Sequence, residues 1–335
     1  MASAFRTFAR ILDDRRATLW LALGVLTLVW LPVLIVMGGH GSWDDWWFRA
    51  AYEGLRTYGT ITPADPYRFS NGDPQTFRDG IEHGFGVWFA HPEVRVALWR
   101  PLSAATHWFD HSLWGFDHHL AYLHSYLWLV LQVVAGHALF RTILRPREAG
   151  LATLVLAWAS SHAEAVTWMA ARNSQVAAAL GTLALACHAA ARRSDAPRPR
   201  WLGPLFFALA LLGGETGLGT APYLLIYELC LAPETEGEAW GPRLSRSFRA
   251  LLPYGLVLVA WFVAYSVQGY GTAHSGYYIN PLHEPLRFLE ALPERGLTLL
   301  GGAFLATPMA LWLFRPDTRT FLLCAGVASI ALVLW

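Results

Sequence analysis

The sequence predicts an all-α, polytopic integral membrane protein, and three observations carry that expectation. Of its 335 residues 55% are hydrophobic and only 15% charged, where a soluble domain is about 25% charged. The apolar residues come in long blocks rather than alternating with polar ones, as lipid-facing helices require and an ordinary core does not. Arginines gather in alternate connections between the blocks, the pattern of a chain that keeps its cations on one side of a membrane.

The first block, 17–37, follows Arg6, Arg10, Arg15 and Arg16. It is too long for a signal-peptide core and lacks a small-x-small cleavage site, so it reads as an uncleaved anchor. Residues 1–16 are then a cytoplasmic N-terminus, and 38–118 a long extracytoplasmic loop. Further blocks lie near 119–142, 149–162, 174–191, 201–214, 217–232, 250–268, 296–314 and 319–335. Together they predict a single transmembrane domain over 1–335, with about nine spans of roughly 20 residues, several short enough to need cover from a neighbour.

The predicted inner connections hold Arg141, Arg145 and Arg147, then Arg192, Arg193, Arg198 and Arg200, then Arg243, Arg246 and Arg249, then Arg315 and Arg319. The short outer ones carry only Arg172, Arg287 and Arg295. In the long loop, Leu102, Ala105, Phe109 and Leu113 recur at helical spacing beside Trp108 and Trp114, which predicts a helix lying in the interface. Ser194–Arg200 and the acidic run Glu234–Glu238 read as solvated inner loops.

Composition also excludes. A net charge of +1 argues for neither a nucleic-acid nor an acidic partner, so no nucleic acid is expected, and every basic residue is arginine, which points to GC-rich coding and a bacterial source. Cys187, Cys230 and Cys324 are odd in number and sit inside apolar blocks, so they read as small thiols rather than disulfides. Histidines crowd the first spans, but there is no HExxH and no Cys/His ligand spacing, so no built zinc site is expected. A phosphate-binding glycine loop and a GxSxG elbow are both missing, which disfavours a nucleotide-driven pump or a hydrolase.

Three places could carry chemistry. Asp44 and Asp45 follow the first span among Trp43, Trp46 and Trp47. They either end the span in water or hold a carboxylate at the membrane surface, where it could take a proton from a hydroxyl. In the segment 160–173, Glu164, Trp168 and Arg172 fall on one helical face. That spacing suits a structural Glu–Arg pair, or an arginine fork for phosphate positioned by His162 and Glu164. Glu215 lies in Gly213-Gly214-Glu215-Thr216-Gly217, either on a plain outer turn or in a broken helix lining a cavity.

In order along 40–232, these segments resemble the membrane region of the transmembrane and TPR-repeat O-mannosyltransferases. The resemblance rests on Trp99-Arg100-Pro101-Leu102-Ser103 with Leu113-Trp114-Gly115 and His119. It continues in His162-Ala163-Glu164-Ala165-Val166-Thr167-Trp168 with Arg172, and in Glu215 with Leu218 and Pro222–Glu228. It implies a GT-C superfamily glycosyltransferase that takes a sugar from a polyprenyl-phosphate carrier on the extracytoplasmic face, with inversion. Asp44 or Asp45 would match the catalytic acid, and Arg100 and Arg172 would lie near the donor phosphate. His162, Glu164, Trp168 and Glu215 would line the cavity. No cofactor is implied with certainty, and a divalent cation is left open. The partners would be the lipid-linked sugar, the bilayer, and a protein, lipid or glycan acceptor. The chain departs from the family at Ser161, Gly214 and Asn173–Ser174, where a proline, a lysine and an acid are usual. A flippase of lipid-linked sugar and a non-catalytic GT-C-like subunit are the rival readings.

Overall fold

Most of the apolar blocks become helices in the computed structural model, which describes residues 2–37, 43–52, 62–82, 89–115, 117–162, 166–193, 200–235, 237, 239–276, 278–281, 284–305, 307 and 311–334. Helix α1 (Ala2–Asp13) leads into α2 (Arg15–Met37) through a turn where Asp14 accepts from the Ala17 N–H at 2.7 Å, an N-cap for α2. The last carbonyls of α1 are held from elsewhere. Thr18 Oγ1 donates to Ile11 at 2.7 Å and Arg141 Nη2 donates to Leu12 at 2.8 Å. A cation belongs there, because the C-terminal carbonyls are orphaned and carry the negative end of the helix dipole.

The stretch between the first two blocks holds α3 (Trp43–Tyr52), β1 (Arg68–Asn71), α4 (Pro74–Glu82), β2 (Arg95–Ala97) and α5 (Pro101–Trp114). Pro101 suits the first turn of α5, and Gly115 closes it at φ 60, a left-handed conformation that glycine adopts without penalty. Then come α6 (His118–Ile143), α7 (Pro146–Trp158), α8 (Arg172–Arg193) and α9 (Leu202–Gly213). After α10 (Thr220–Ile226), which runs on into a π turn at Tyr227–Leu231, the chain forms α11 (Trp240–Val267), β3 (Gly271–Ala273), α12 (Pro285–Leu305), α13 (Leu311–Phe314) and α14 (Arg319–Leu334).

Among the described residues, four helical segments are long and apolar enough to cross a membrane: Arg15–Val36, His118–Ile143, Met169–Arg193 and Trp240–Val267. The expected blocks at 149–162, 201–214 and 217–232 are half-length. α7 has 13 residues and α9 has 12, against the ~20 a full crossing needs. They turn back through tight segments at Ser160–His162 and Glu215–Gly219. Two boundaries also move. α11 begins at Trp240 rather than 250, and α12 at Pro285 rather than 296, which carries Arg287 and Arg295 onto a helix. Both extensions are amphipathic, so a hydropathy block misses them although the backbone continues.

The helices meet through small residues. Gly217 lies so close to Ala210 that a Cβ would come within 2.7 Å of its carbonyl, and Gly150 would meet the Leu12 carbonyl oxygen at 2.8 Å. Close backbone approach is the usual way helices associate where no hydrophobic effect drives them together. Large apolar side chains point outward instead: Leu28, Val259 and Val267 are 79%, 62% and 81% exposed.

α5 shows the same inversion. Its buried face is polar (Ser103, Thr106, His107, Asp110), while Trp108, Phe109 and Leu113 are exposed. The predicted helix is therefore present, with its polar stripe against the bundle. Nothing in the sequence signals a sheet here. β1, β2 and β3 form a three-stranded antiparallel sheet, with Arg95 opposite Ala273 and Val96 opposite Thr272. Strands of three or four residues leave no periodic signal, and this pairing joins distant parts of the chain.

Candidate functional site

The first turns of α5, α6 and α8 and the bend before α8 converge at one end of the bundle. At their centre is Arg172, with no exposed surface. It pairs with the equally buried Asp110. Its Nε donates to Ser125 Oγ at 2.8 Å and its Nη2 to the Ala121 carbonyl at 2.6 Å. Asp110 also meets His124 Nδ1 at 2.6 Å, and the Trp128 indole N–H donates to His124 Nε2 at 3.2 Å. Because Nε2 accepts, the proton of a neutral ring sits on Nδ1 and donates to Asp110.

The phosphate role expected of Arg172 does not fit this arrangement. A guanidinium that is buried, neutralised and hydrogen-bonded on three sides has no fork left for a ligand. The helical Glu164–Trp168–Arg172 face does not form either, because the chain at Met169–Ala171 is a tight turn and Trp168 is extended at φ −131, ψ 101. Glu164 itself lies outside the described residues. The partner of Arg172 is Asp110, which sequence reasoning missed.

The two adjacent aspartates separate. Asp45 is fully buried; Tyr122 Oη donates to it at 2.9 Å and the Ala170 N–H at 2.9 Å. It thereby ties α3 to α6 and to the turn that leads into Arg172. Asp44, one residue earlier, is half-buried. Partial burial first, and then the charge of Asp45, push its carboxyl above the usual value. A carboxylate raised in this way is a better proton acceptor than a solvated one.

Arg100 and Glu215 meet at 2.7 Å with side chains 17% and 24% exposed, so the pair reaches solvent. The Arg100 guanidinium lies 5.0 Å from the Tyr67 ring centre, and Tyr265 Oη donates to Glu215 at 3.3 Å. Asn173, with its amide turned so that the oxygen faces Arg100, accepts from Nη1 at 3.2 Å. Arg100 lies immediately before α5 and Glu215 two residues after the end of α9, whose carbonyl at Gly213 accepts from Ser103 Oγ at 2.6 Å. That bond aligns the two helix ends and brings the charges together.

His162 is buried, its Nε2 2.8 Å from the Leu156 carbonyl and its ring 6.3 Å from that of Trp30. It closes the end of α7. Trp168 packs against the cluster around Tyr122 and Leu129. Both are part of the wall rather than of an open surface. Elsewhere, His91, Glu93 and His274 bring three metal-capable atoms within 4.8 Å of one another, all exposed. The Glu93 N–H donates to His91 Nδ1 at 3.1 Å, which commits that nitrogen and leaves the proton on the other.

Compared with protein-family models, curated proteins and solved structures, the chain matches none.

Proposed function

We propose that the chain is a GT-C-type membrane glycosyltransferase acting at the extracytoplasmic face of a bacterial inner membrane. It would move a sugar from a polyprenyl-phosphate donor to an acceptor hydroxyl on a protein, lipid or glycan, with inversion. On this reading the N-terminus is cytoplasmic and the apolar blocks supply about nine crossings, the half-length helices sheltered by their neighbours. The end that carries α3, α5 and the Arg100–Glu215 pair faces outward.

One observation carries the reading. Of two adjacent aspartates, Asp45 is anchored by Tyr122 and Ala170, and Asp44 is left half-buried with a raised carboxyl. Asp44 takes the acceptor's hydroxyl proton, the acceptor oxygen bonds the anomeric carbon, and the carbon–oxygen bond to the phosphate breaks. The charge that departs on polyprenyl phosphate needs a cation. Arg100 serves better than Arg172, because its side chain reaches solvent and that of Arg172 has no exposed surface.

Purified protein incubated with a polyprenyl-phosphate sugar, with and without acceptor, tests this. Transfer that Asp44→Asn removes supports the enzyme. Absence of transfer from every donor and acceptor pair rejects it. The saturation of Arg172 by Asp110, Ser125 and Ala121 favours one second reading, a non-catalytic membrane subunit that keeps the scaffold. Such a subunit would bind donor without turning it over.

A further inference from the structure

At the opposite end of the bundle, the ends of α8, α9 and α11 enclose a cavity of about 590 Å³ lined by Arg192, Arg200, Arg246 and Arg249. On α11 the lining runs from Pro242 through Ser245, Arg246, Arg249 and Ala250 to Pro253 and Tyr254, at steps of three and four, so one stripe of the helix faces inward. The cavity is built rather than incidental. Glu228, fully buried, receives Arg192 at 2.7 Å, Arg246 at 2.7 Å and His188 at 2.9 Å. Tyr254 Oη then meets His188 Nδ1 at 3.1 Å, which fixes the wall from α11.

Charge is left over. Among the described residues, Glu228 and Glu234 answer Arg192 and Arg246. Among the same residues Arg249 donates to the neutral Ser245, at 3.1 Å, and Arg200 is exposed two residues before α9. The α9 N-terminus opens beside Arg200 and adds the positive end of its dipole. Towards the middle of the bundle the lining turns apolar at Pro204, Ala250 and Pro253. The outward flank of α11 carries Leu252, Leu256 and Val259, 46%, 63% and 62% exposed. An occupant that is anionic at one end and greasy along the other fits both halves.

We infer that this cavity binds the phosphate head of an anionic membrane phospholipid, with its acyl chains along α11. Arginine forks suit phosphate oxygens, and basic pockets between membrane helices hold acidic head groups in this way. The inference rests on α11 crossing a membrane and is independent of the glycosyl-transfer reading.

The test uses the full chain in nanodiscs and in mild detergent. Phosphatidylglycerol is compared with phosphatidylcholine by retained lipid in native mass spectrometry and by thermal unfolding. Phosphatidylglycerol should be retained and should raise the unfolding temperature, and phosphatidylcholine should do neither. Arg200→Ala with Arg249→Ala leaves the Glu228 cluster intact. It should weaken phosphatidylglycerol binding about 30-fold, from about fivefold for each arginine near the head group, while Arg→Lys at both sites restores most of it. Equal retention of the two lipids, or retention unchanged in the double alanine variant, overturns the inference. So does stabilisation by inorganic phosphate to the same extent, which would make the cavity a free-anion site.

Discussion

Arg172 on α8 and Asp110 on α5 form an ion pair in which neither side chain has any exposed surface. Removing one partner strands the other charge, so Arg172→Ala or Asp110→Asn should each cost about 3–5 kcal/mol. Unfolding in mixed detergent reads this directly. Replacing both by apolar residues of similar volume should cost less than the two single changes added. If some Arg172→Ala protein is recovered folded, its donor KM should match the parent, which separates a structural arginine from a phosphate ligand.

Asp44 and Asp45 should part company in the same assay. Asp45→Asn should lower stability, because it weakens the anchors from Tyr122 and Ala170. Asp44→Asn should abolish transfer yet unfold at a higher temperature than the parent at neutral pH. The carboxyl of Asp44 is raised by burial and by its neighbour, so the folded chain holds that proton more tightly than the unfolded one. Stability from this group is therefore fully present below the ordinary carboxylate range and is lost as pH rises through the raised value. The gain in Asp44→Asn should vanish in acid. For the same reason the acid limb of the transfer rate should lie above the usual carboxylate range.

Arg100 offers a sharper test of the donor site than any other cation. Arg100→Ala should raise the donor KM about 10-fold to 100-fold, the size of a charged hydrogen bond, with a smaller change in kcat. Arg100→Lys should recover only part, since an ammonium cannot meet Glu215, Asn173 and a phosphate at once. A KM that stays at the parent value in Arg100→Ala would remove Arg100 from the site.

Two glycines should respond in opposite directions. Gly150→Ala places a methyl 2.8 Å from the Leu12 carbonyl oxygen and should cost about 1–3 kcal/mol as α1 is pushed off α7. A Cβ added at Gly24, within α2, would meet no neighbouring atom within 4 Å among the described residues. Gly24→Ala should stabilise by about 0.5–1 kcal/mol through helix propensity alone. Thermal unfolding of both variants checks the pair.

Hydropathy blocks made the helices legible, and arginine spacing marked where they end. The pairing inside the site was harder to read. Ser103, Thr106, His107 and Asp110 form a polar stripe at helical spacing on α5, and that stripe was available in the sequence. The apolar face through Phe109 and Leu113 marks a helix lying in the interface, but it does not say what the opposite face meets. That polar face packs inward, and Asp110 is where Arg172 finds its partner. Glu164 was the nearer carboxylate in sequence, but a tight turn at Met169–Ala171 breaks the helical face that would align them. The β2–β3 pairing had no signal at all, since neither strand exceeds three residues.

The grip of Arg141 on the carbonyls of Leu12, Asp13 and Asp14 sets an order of assembly. The cation that finishes α1 sits near the far end of α6 and is synthesised more than a hundred residues later. Thr18, on the adjacent α2, already holds the Ile11 and Leu12 carbonyls, so what waits for α6 is the second hold, the one that ties this end of α1 to the bundle. The joint between α1 and the bundle is therefore complete only once the second long helix has arrived.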